Sequence, residues 1–181
     1  MKEQSNAPAP SGLQVKAKDY HLVVFGLAKE DYAVDVTMVR EIVTLQNISR
    51  VPRAPAFVEG VISLRGKIIP VIDLRKRLGL EAGELTKESR IIVAEEEEDN
   101  TIGMIVNNVK EVLRVPADAV EPASPVISSA GAKFIRGVAN LGNRVIIVLD
   151  LLKVLSREES SAMMESIDDE VSLEHASGPA Q

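Results

Sequence analysis

Phe57-Val58-Glu59-Gly60-Val61-Ile62-Ser63-Leu64-Arg65-Gly66-Lys67-Ile68-Ile69-Pro70-Val71-Ile72-Asp73-Leu74-Arg75-Lys76-Arg77-Leu78-Gly79 returns 77 residues later, without a gap, as residues 134–156. Ten of the 23 positions are identical: Phe57/Phe134, Gly60/Gly137, Val61/Val138, Leu64/Leu141, Ile69/Ile146, Val71/Val148, Asp73/Asp150, Leu74/Leu151, Lys76/Lys153 and Leu78/Leu155. Chance gives about one or two, so the chain contains an internal repeat. Upstream the match is weaker and the shift is 70, which sets Val36, Val39 and Glu41 on Val106, Val109 and Glu111. The change of shift puts about seven extra residues in the Pro/Ser/Gly-rich stretch near 121–131 of the second copy.

Within each copy the apolar runs are short and β-branched: Leu22–Phe25, Ile68–Ile72, Arg90–Val93 and Val145–Leu149. Runs of this length, bounded by Gly, Asn or acids, read as strands buried on both faces. The segment Tyr32–Val36 alternates instead. Asp73 is placed to cap a short helix from Leu74 to Leu78 with Gly79 beyond it, and Asp150 to cap Leu151 to Leu155. A further one-turn helix is expected from Thr37 through Ile42. The expected fold is mainly β: two similar small, partly open five-stranded barrels packed side by side with short helices, and a groove between them. The barrels span approximately residues 19–85 and 86–156, with room for exchange of strands between them.

Residues 1–18 are polar and rich in Pro, Ala and Ser, and read as a disordered arm. Residues 157–181 hold one Arg and seven acids, which leaves 20 charges of each sign in residues 1–156. The net charge of -6 therefore belongs to this acidic tail. A neutral body with 3% aromatics lacks the basic footprint and stacking platform of a nucleic-acid binder. In the tail, Met163, Ile167 and Val171 fall at steps of four, a weak amphipathic signal. Its acidic, Ser-rich composition points to a segment dispensable for folding. The acidic run Glu95–Asn100 reads as a solvated hairpin loop.

The chain has no Cys and two His. It thus lacks thiol chemistry, disulfides and thiolate zinc sites, and offers no phosphate cradle or nucleophile elbow. His21 at a strand start and His175 in the tail have no evident partners. No apolar run reaches the length of a membrane span, and no secretory signal opens the chain. The reading is a cytoplasmic non-enzyme with no cofactor and no metal.

Arg65 is the residue local geometry does not explain. It stands first in a tight Arg65-Gly66 turn, where the second copy has Gly142-Asn143. A two-residue hairpin turn forces positive φ on that position, which costs a non-Gly residue energy. The alternatives are a solvated turn residue or a guanidinium kept for an ion pair or a partner.

Gly60-Val61-Ile62-Ser63-Leu64-Arg65-Gly66, followed by Ile69-Pro70-Val71-Ile72-Asp73-Leu74-Arg75, resembles the central motif of the CheW-like family of bacterial chemotaxis coupling proteins. Val39-Arg40-Glu41-Ile42 resembles its second landmark. The resemblance covers residues 20–155; Ser63 departs from the Asn usual there. It implies a scaffold linking the cytoplasmic tips of methyl-accepting chemoreceptors to the regulatory domain of the histidine kinase CheA, which has the same fold. It implies a protein without membrane insertion or nucleic-acid binding, monomeric alone and built into membrane receptor arrays. Carried over by position, the receptor-binding residues are Val39, Glu41, Ile42, Gly60, Arg65 and Gly66, with Val109 and Val112 as second-copy relatives. Arg65 and Glu41 are expected to pair. The kinase-binding residues are unknown. A CheW-like adaptor of another receptor–kinase system, such as pilus motility, is the alternative. A nucleic-acid-binding barrel protein is the different-class alternative.

Overall fold

The structure is a computed structural model that describes residues 18–95, 100–125 and 133–176. The strands are β1 (Tyr20–Leu27), β2 (Glu30–Asp35), β3 (Val39–Thr44), β4 (Val58–Leu64), β5 (Lys67–Asp73), β6 (Arg90–Glu95), β7 (Thr101–Val106), β8 (Asn108–Val115), β9 (Val120–Pro122), β10 (Ile135–Asn140) and β11 (Val145–Leu149). The helices are α1 (Leu74–Arg77) and α2 (Arg157–Ala176). One sheet runs β3-β6-β7-β5-β4 and the other β8-β1-β2-β11-β10-β9. Under the repeat these orders are the same, β3 answering to β8, β6 to β1, β7 to β2, β5 to β11 and β4 to β10. Each sheet takes its first hairpin from the other half of the sequence. The first lobe is therefore residues 39–106, inserted between the two parts of the second lobe. A division near residue 85 does not separate the sheets.

Neither sheet closes into a full barrel. In the first lobe the chain beyond edge strand β3 reaches β4 where Ser49 bridges Val61, through Ser49 N–H to Val61 O at 2.9 Å and Val61 N–H to Ser49 O at 2.8 Å. In the second lobe the same bridge has grown into β9, where Glu121 pairs with Val138, the repeat partner of Val61. Both crossings pass over a glycine. A Cβ on Gly60 would lie 2.0 Å from Ser49 O, and one on Gly137 2.5 Å from Glu121 O. Side chains cannot be accommodated at such approaches.

The strands bury both faces because the protein has three cores. Ile62, Ile69, Val71, Ile91, Val93 and Ile105 fill the first lobe. Leu22, Val24, Ala33, Val115, Ala139, Ile146 and Val148 fill the second. The alternate residues, including Val23, Phe25, Tyr32, Ile72, Ile92 and Met104, turn outward and fuse the lobes through a third cluster. Period-2 alternation sends successive side chains to opposite faces, so an unbroken run such as Ile91-Ile92-Val93 serves two cores. The cation at this joint is Arg77. Its guanidinium lies 4.6 Å from the Phe57 ring and 4.9 Å from the Phe134 ring, the two repeat-related aromatics.

Two expectations are corrected. Val39 through Ile42 do not continue a helix from Thr37: a 3-10 turn covers Val36–Met38, and Val39 starts β3 against β6. The β-branched Val39, Ile42 and Val43 gain more from the ladder than from a helical turn. The tail does not lie free of the body. Ser156 Oγ accepts from Glu159 N–H at 3.1 Å, and Ser156 N–H donates to Glu159 Oε2 at 2.8 Å, a reciprocal capping box that opens α2. Met163 and Ile167 bury into the joint core, and Arg77 pairs with Glu159 at 2.7 Å. Two apolar anchors and a capped start outweigh the polar composition. The arm up to residue 17 and the acidic loop at 96–99 lie outside the described residues. Among the described residues no helix is long and apolar enough to cross a membrane.

Candidate functional site: the edge strand and hairpin tip of the first lobe

The β4–β5 hairpin ends in Leu64-Arg65-Gly66-Lys67, with Leu64 registered on Lys67. Both central residues have positive φ, +52° at Arg65 and +78° at Gly66. This pattern belongs to a two-residue hairpin turn, and Gly66 adopts it freely while Arg65 does so at a cost. Arg65 Nη2 donates to Glu41 Oε2 at 3.1 Å. Glu41 is half-buried on β3, whereas the Arg65 side chain is 78% exposed. The pair thus joins the hairpin tip to the edge strand and leaves most of the cation facing solvent.

Around this pair the predicted residues divide. Ile42, next to Glu41 on β3, is 39% exposed. Gly66 sits in the turn itself. Val39 is part-buried and packs against the joint core. Val109 on β8 does the same from the second lobe, so the starts of the two edge strands flank the joint. Val112, the repeat partner of Ile42, is 61% exposed. Gly60 is not beside them. It lies five residues from Arg65 along β4, about 16 Å away by strand rise, buried under the Ser49 crossing. Ser63 is exposed near the tip.

Sequence reasoning missed the second lobe's version of the pair. Glu111, the repeat partner of Glu41, is bound by the Arg144 guanidinium. Arg144 Nε also donates to Asp31 at 2.9 Å, and Lys110 bonds the same carboxylate. Burial works to raise the Asp31 pKa, but hydrogen bonds from Lys110 and Arg144 outweigh it and hold the carboxyl below its usual value. The Glu111 hydrogen bond, then that of Asp31, pushes Arg144 up. Setting Glu41 on Glu111 was the available signal, because it asks which cation serves the second acid. Four exposed apolar residues also fall in repeat pairs: Ile42 with Val112, and Ile68 (43%) with Val145 (56%). Among the described residues no three His, Asp or Glu side chains converge as a metal site.

Residues 21–159 match the model of the CheW-like domain. The chain is 36% identical over 150 residues to chemotaxis protein CheW of Treponema pallidum, covering 81% of this chain and 88% of that one. It is also 36% identical over 141 residues to chemotaxis protein CheW of Bacillus subtilis, covering 78% and 90%. The scaffolding protein TtCheW from Thermoanaerobacter tengcongensis superposes with a TM-score of 0.70 at 37% identity, over 78% of this chain and 95% of that one. With the repeat, the two-lobed sheet order and the Arg65 turn already in place, these matches decide the matter: the chain belongs to the CheW-like domain family.

Proposed function

We propose that this chain is a non-enzymatic scaffold that couples transmembrane chemoreceptors to the histidine kinase CheA in the cytoplasm, at membrane receptor arrays. The receptor tip is engaged by Arg65, Glu41, Ile42 and Gly66, with Val39, Val109 and Val112 flanking the joint, while Gly60 fixes the strand that carries the tip. Arg65 carries this reading. A charged residue is kept where the backbone favours glycine, is 78% exposed, and is aimed by a single ion pair. A turn needs none of this for its own stability, whereas a partner surface uses a guanidinium well.

The test measures affinity for a soluble receptor-tip fragment and thermal unfolding on the same variants: Arg65→Glu, Glu41→Arg and the double exchange. Arg65→Glu is expected to weaken receptor binding about ten- to a hundredfold, the equivalent of about 1.5–3 kcal/mol for a charge-assisted contact. Stability should change by about 1 kcal/mol or less, since the pair is exposed. Rescue in the double exchange marks the pair itself as the determinant. Unchanged binding in a folded Arg65→Glu protein overturns the assignment.

A further inference from the structure

The loop that leads into β4 forms, with α1, a groove of about 210 Å³ lined by Arg50, Arg53, Glu59 and Lys76 among small apolar residues. Lys76 is committed to Glu59. Arg50 and Arg53 are exposed, and neither has an ion pair or hydrogen bond to a side chain among the described residues. Arg53 also holds a left-handed φ of +63°, one of three non-Gly residues to do so among the described residues. Two uncommitted guanidiniums in one concavity are notable on a chain of net charge -6. The groove lies at the α1 end of β4, and Arg65 lies at the other end of this seven-residue strand, about 20 Å away.

One cluster of unpaired anions that matches in charge is on α2. Glu165, Asp168 and Asp169 are exposed and have no ion pair among the described residues. Their spacing puts them on one face of the helix. The inner face of the same helix is fixed to the body by Met163, Ile167 and the Arg77–Glu159 pair, so the acidic face is presented outward, and none of its three acids pairs with an arginine of the groove in its own chain. We propose that the acidic face of α2 in one copy docks on the Arg50/Arg53 groove of a second copy, a head-to-tail contact between copies of this chain. Such a contact uses different patches on the two partners and so propagates rather than closing as a dimer. It is distinct from the Arg65 tip and leaves that tip open. It adds self-association to a chain that the sequence reading takes to be monomeric alone.

The test is sedimentation velocity of the full chain without receptor or kinase, at about 20 mM and about 300 mM salt, where the Debye length falls from about 20 Å to about 6 Å. The wild type should form concentration-dependent oligomers at low salt and return to monomer at high salt. Arg50→Glu/Arg53→Glu should weaken association about tenfold or more, and so should Glu165→Lys/Asp168→Lys/Asp169→Lys. An equimolar mixture of the two variants should associate again, because each supplies the complement of the other's reversed patch. A wild type that stays monomeric at low salt overturns the proposal. So does a folded reversed variant that associates like the wild type, or a mixture that does not recover. Receptor-tip binding by Arg50→Glu/Arg53→Glu should be retained, which keeps this contact separable from the Arg65 reading.

Discussion

The two lobes solve one problem with different degrees of commitment. In both, an acid on the edge strand, Glu41 or Glu111, is met by an arginine from the tip of the facing hairpin. In the second lobe that arginine is Arg144, at the last position of its turn, with Gly142 taking the left-handed conformation at +87°. Arg144 is 30% exposed and shared between Glu111 and Asp31, with Lys110 completing the network. In the first lobe the arginine has moved into the strained turn position, makes one bond and is 78% exposed. The second lobe thus uses its charge to hold the fold, and the first presents it.

At the helix caps the contrast is inverted, with the first lobe holding the buried pair, and here it should have the largest effect on stability. Asp73 is 2% exposed and receives Arg75 Nη2 at 2.8 Å and Nε at 3.0 Å, while Arg75 Nη1 donates to Gly83 O at 2.8 Å. Its repeat partner Asp150 caps Leu152 N–H at 3.1 Å and faces an exposed Lys153 at 3.8 Å. Asp73→Ala orphans a buried guanidinium and is expected to cost about 3–5 kcal/mol. Asp150→Ala loses a cap, about 0.5–2 kcal/mol. Urea unfolding of the two single variants measures the difference. Equal losses would mean that the lobes are not as unequal as their burial indicates.

The glycine crossings come next. Gly60 combines the 2.0 Å approach with φ of +145°, whereas Gly137 has the 2.5 Å approach without the unusual φ. Gly60→Ala should destabilise by about 2–4 kcal/mol and Gly137→Ala by about half as much, since it strains contact alone. Thermal unfolding gives the order. If Gly137→Ala proves the worse, the extended β9 ladder is the less yielding of the two closures.

Most of the β framework is legible in the sequence, and what escapes has physical causes. The gapless match from Phe57 to Gly79 predicts the duplication, the hairpins and both aspartate caps, because these depend on neighbours along the chain. The exchange of first hairpins between halves depends on which sheet edge β1 and β2 reach, and the residues record only that both their faces are apolar. The α2 docking was hidden for a different reason. Two buried positions, Met163 and Ile167, decide it against a tail full of acids, although Ser156 and Glu159 spell a capping box. The Arg65–Glu41 pairing was expected through the family resemblance, whereas Arg144 and Asp31 are 113 residues apart and meet only in the folded sheet.

That helix makes the lobes unequal in a further way. Met163 and Met164 share a small cavity with Pro70 on β5 and Ile102 on β7 of the first lobe, and with Leu155. Ile167→Ala is expected to cost about 2 kcal/mol by removing a side chain that is 5% exposed at the rim of the joint core. Arg77→Ala, which detaches Glu159 and leaves Phe57 and Phe134 without their shared cation, should cost about 1–3 kcal/mol. Both are read as shifts in the urea midpoint at constant slope. An Ile167→Ala protein as stable as the wild type would show that α2 rests on the surface without supporting it.

The smallest effect should be present at neutral pH and fade in acid, and only in the second lobe. Asp31 has Thr101 as its repeat partner, so the first lobe has no matching carboxylate at this place. Because Lys110 and Arg144 hold the Asp31 pKa in the folded protein below its value of about 3.9 in the unfolded chain, the ionised form favours folding. The unfolded chain then takes up this proton first as pH falls. The stabilisation is complete above about pH 5, shrinks below the unfolded value, and is gone once the folded carboxyl also protonates. Asp31→Asn removes this term at every pH. The variant should therefore be less stable than the wild type at pH 7, by about 1 kcal/mol for a partly exposed network. The gap should narrow steadily as pH drops below about 4. Unfolding curves collected along a pH series give the gap directly. A gap that stays constant into acid would mean that the loss at pH 7 comes from geometry rather than charge. The lock on Arg144 would then rest on Glu111 alone, and the second lobe would hold its arginine as lightly as the first.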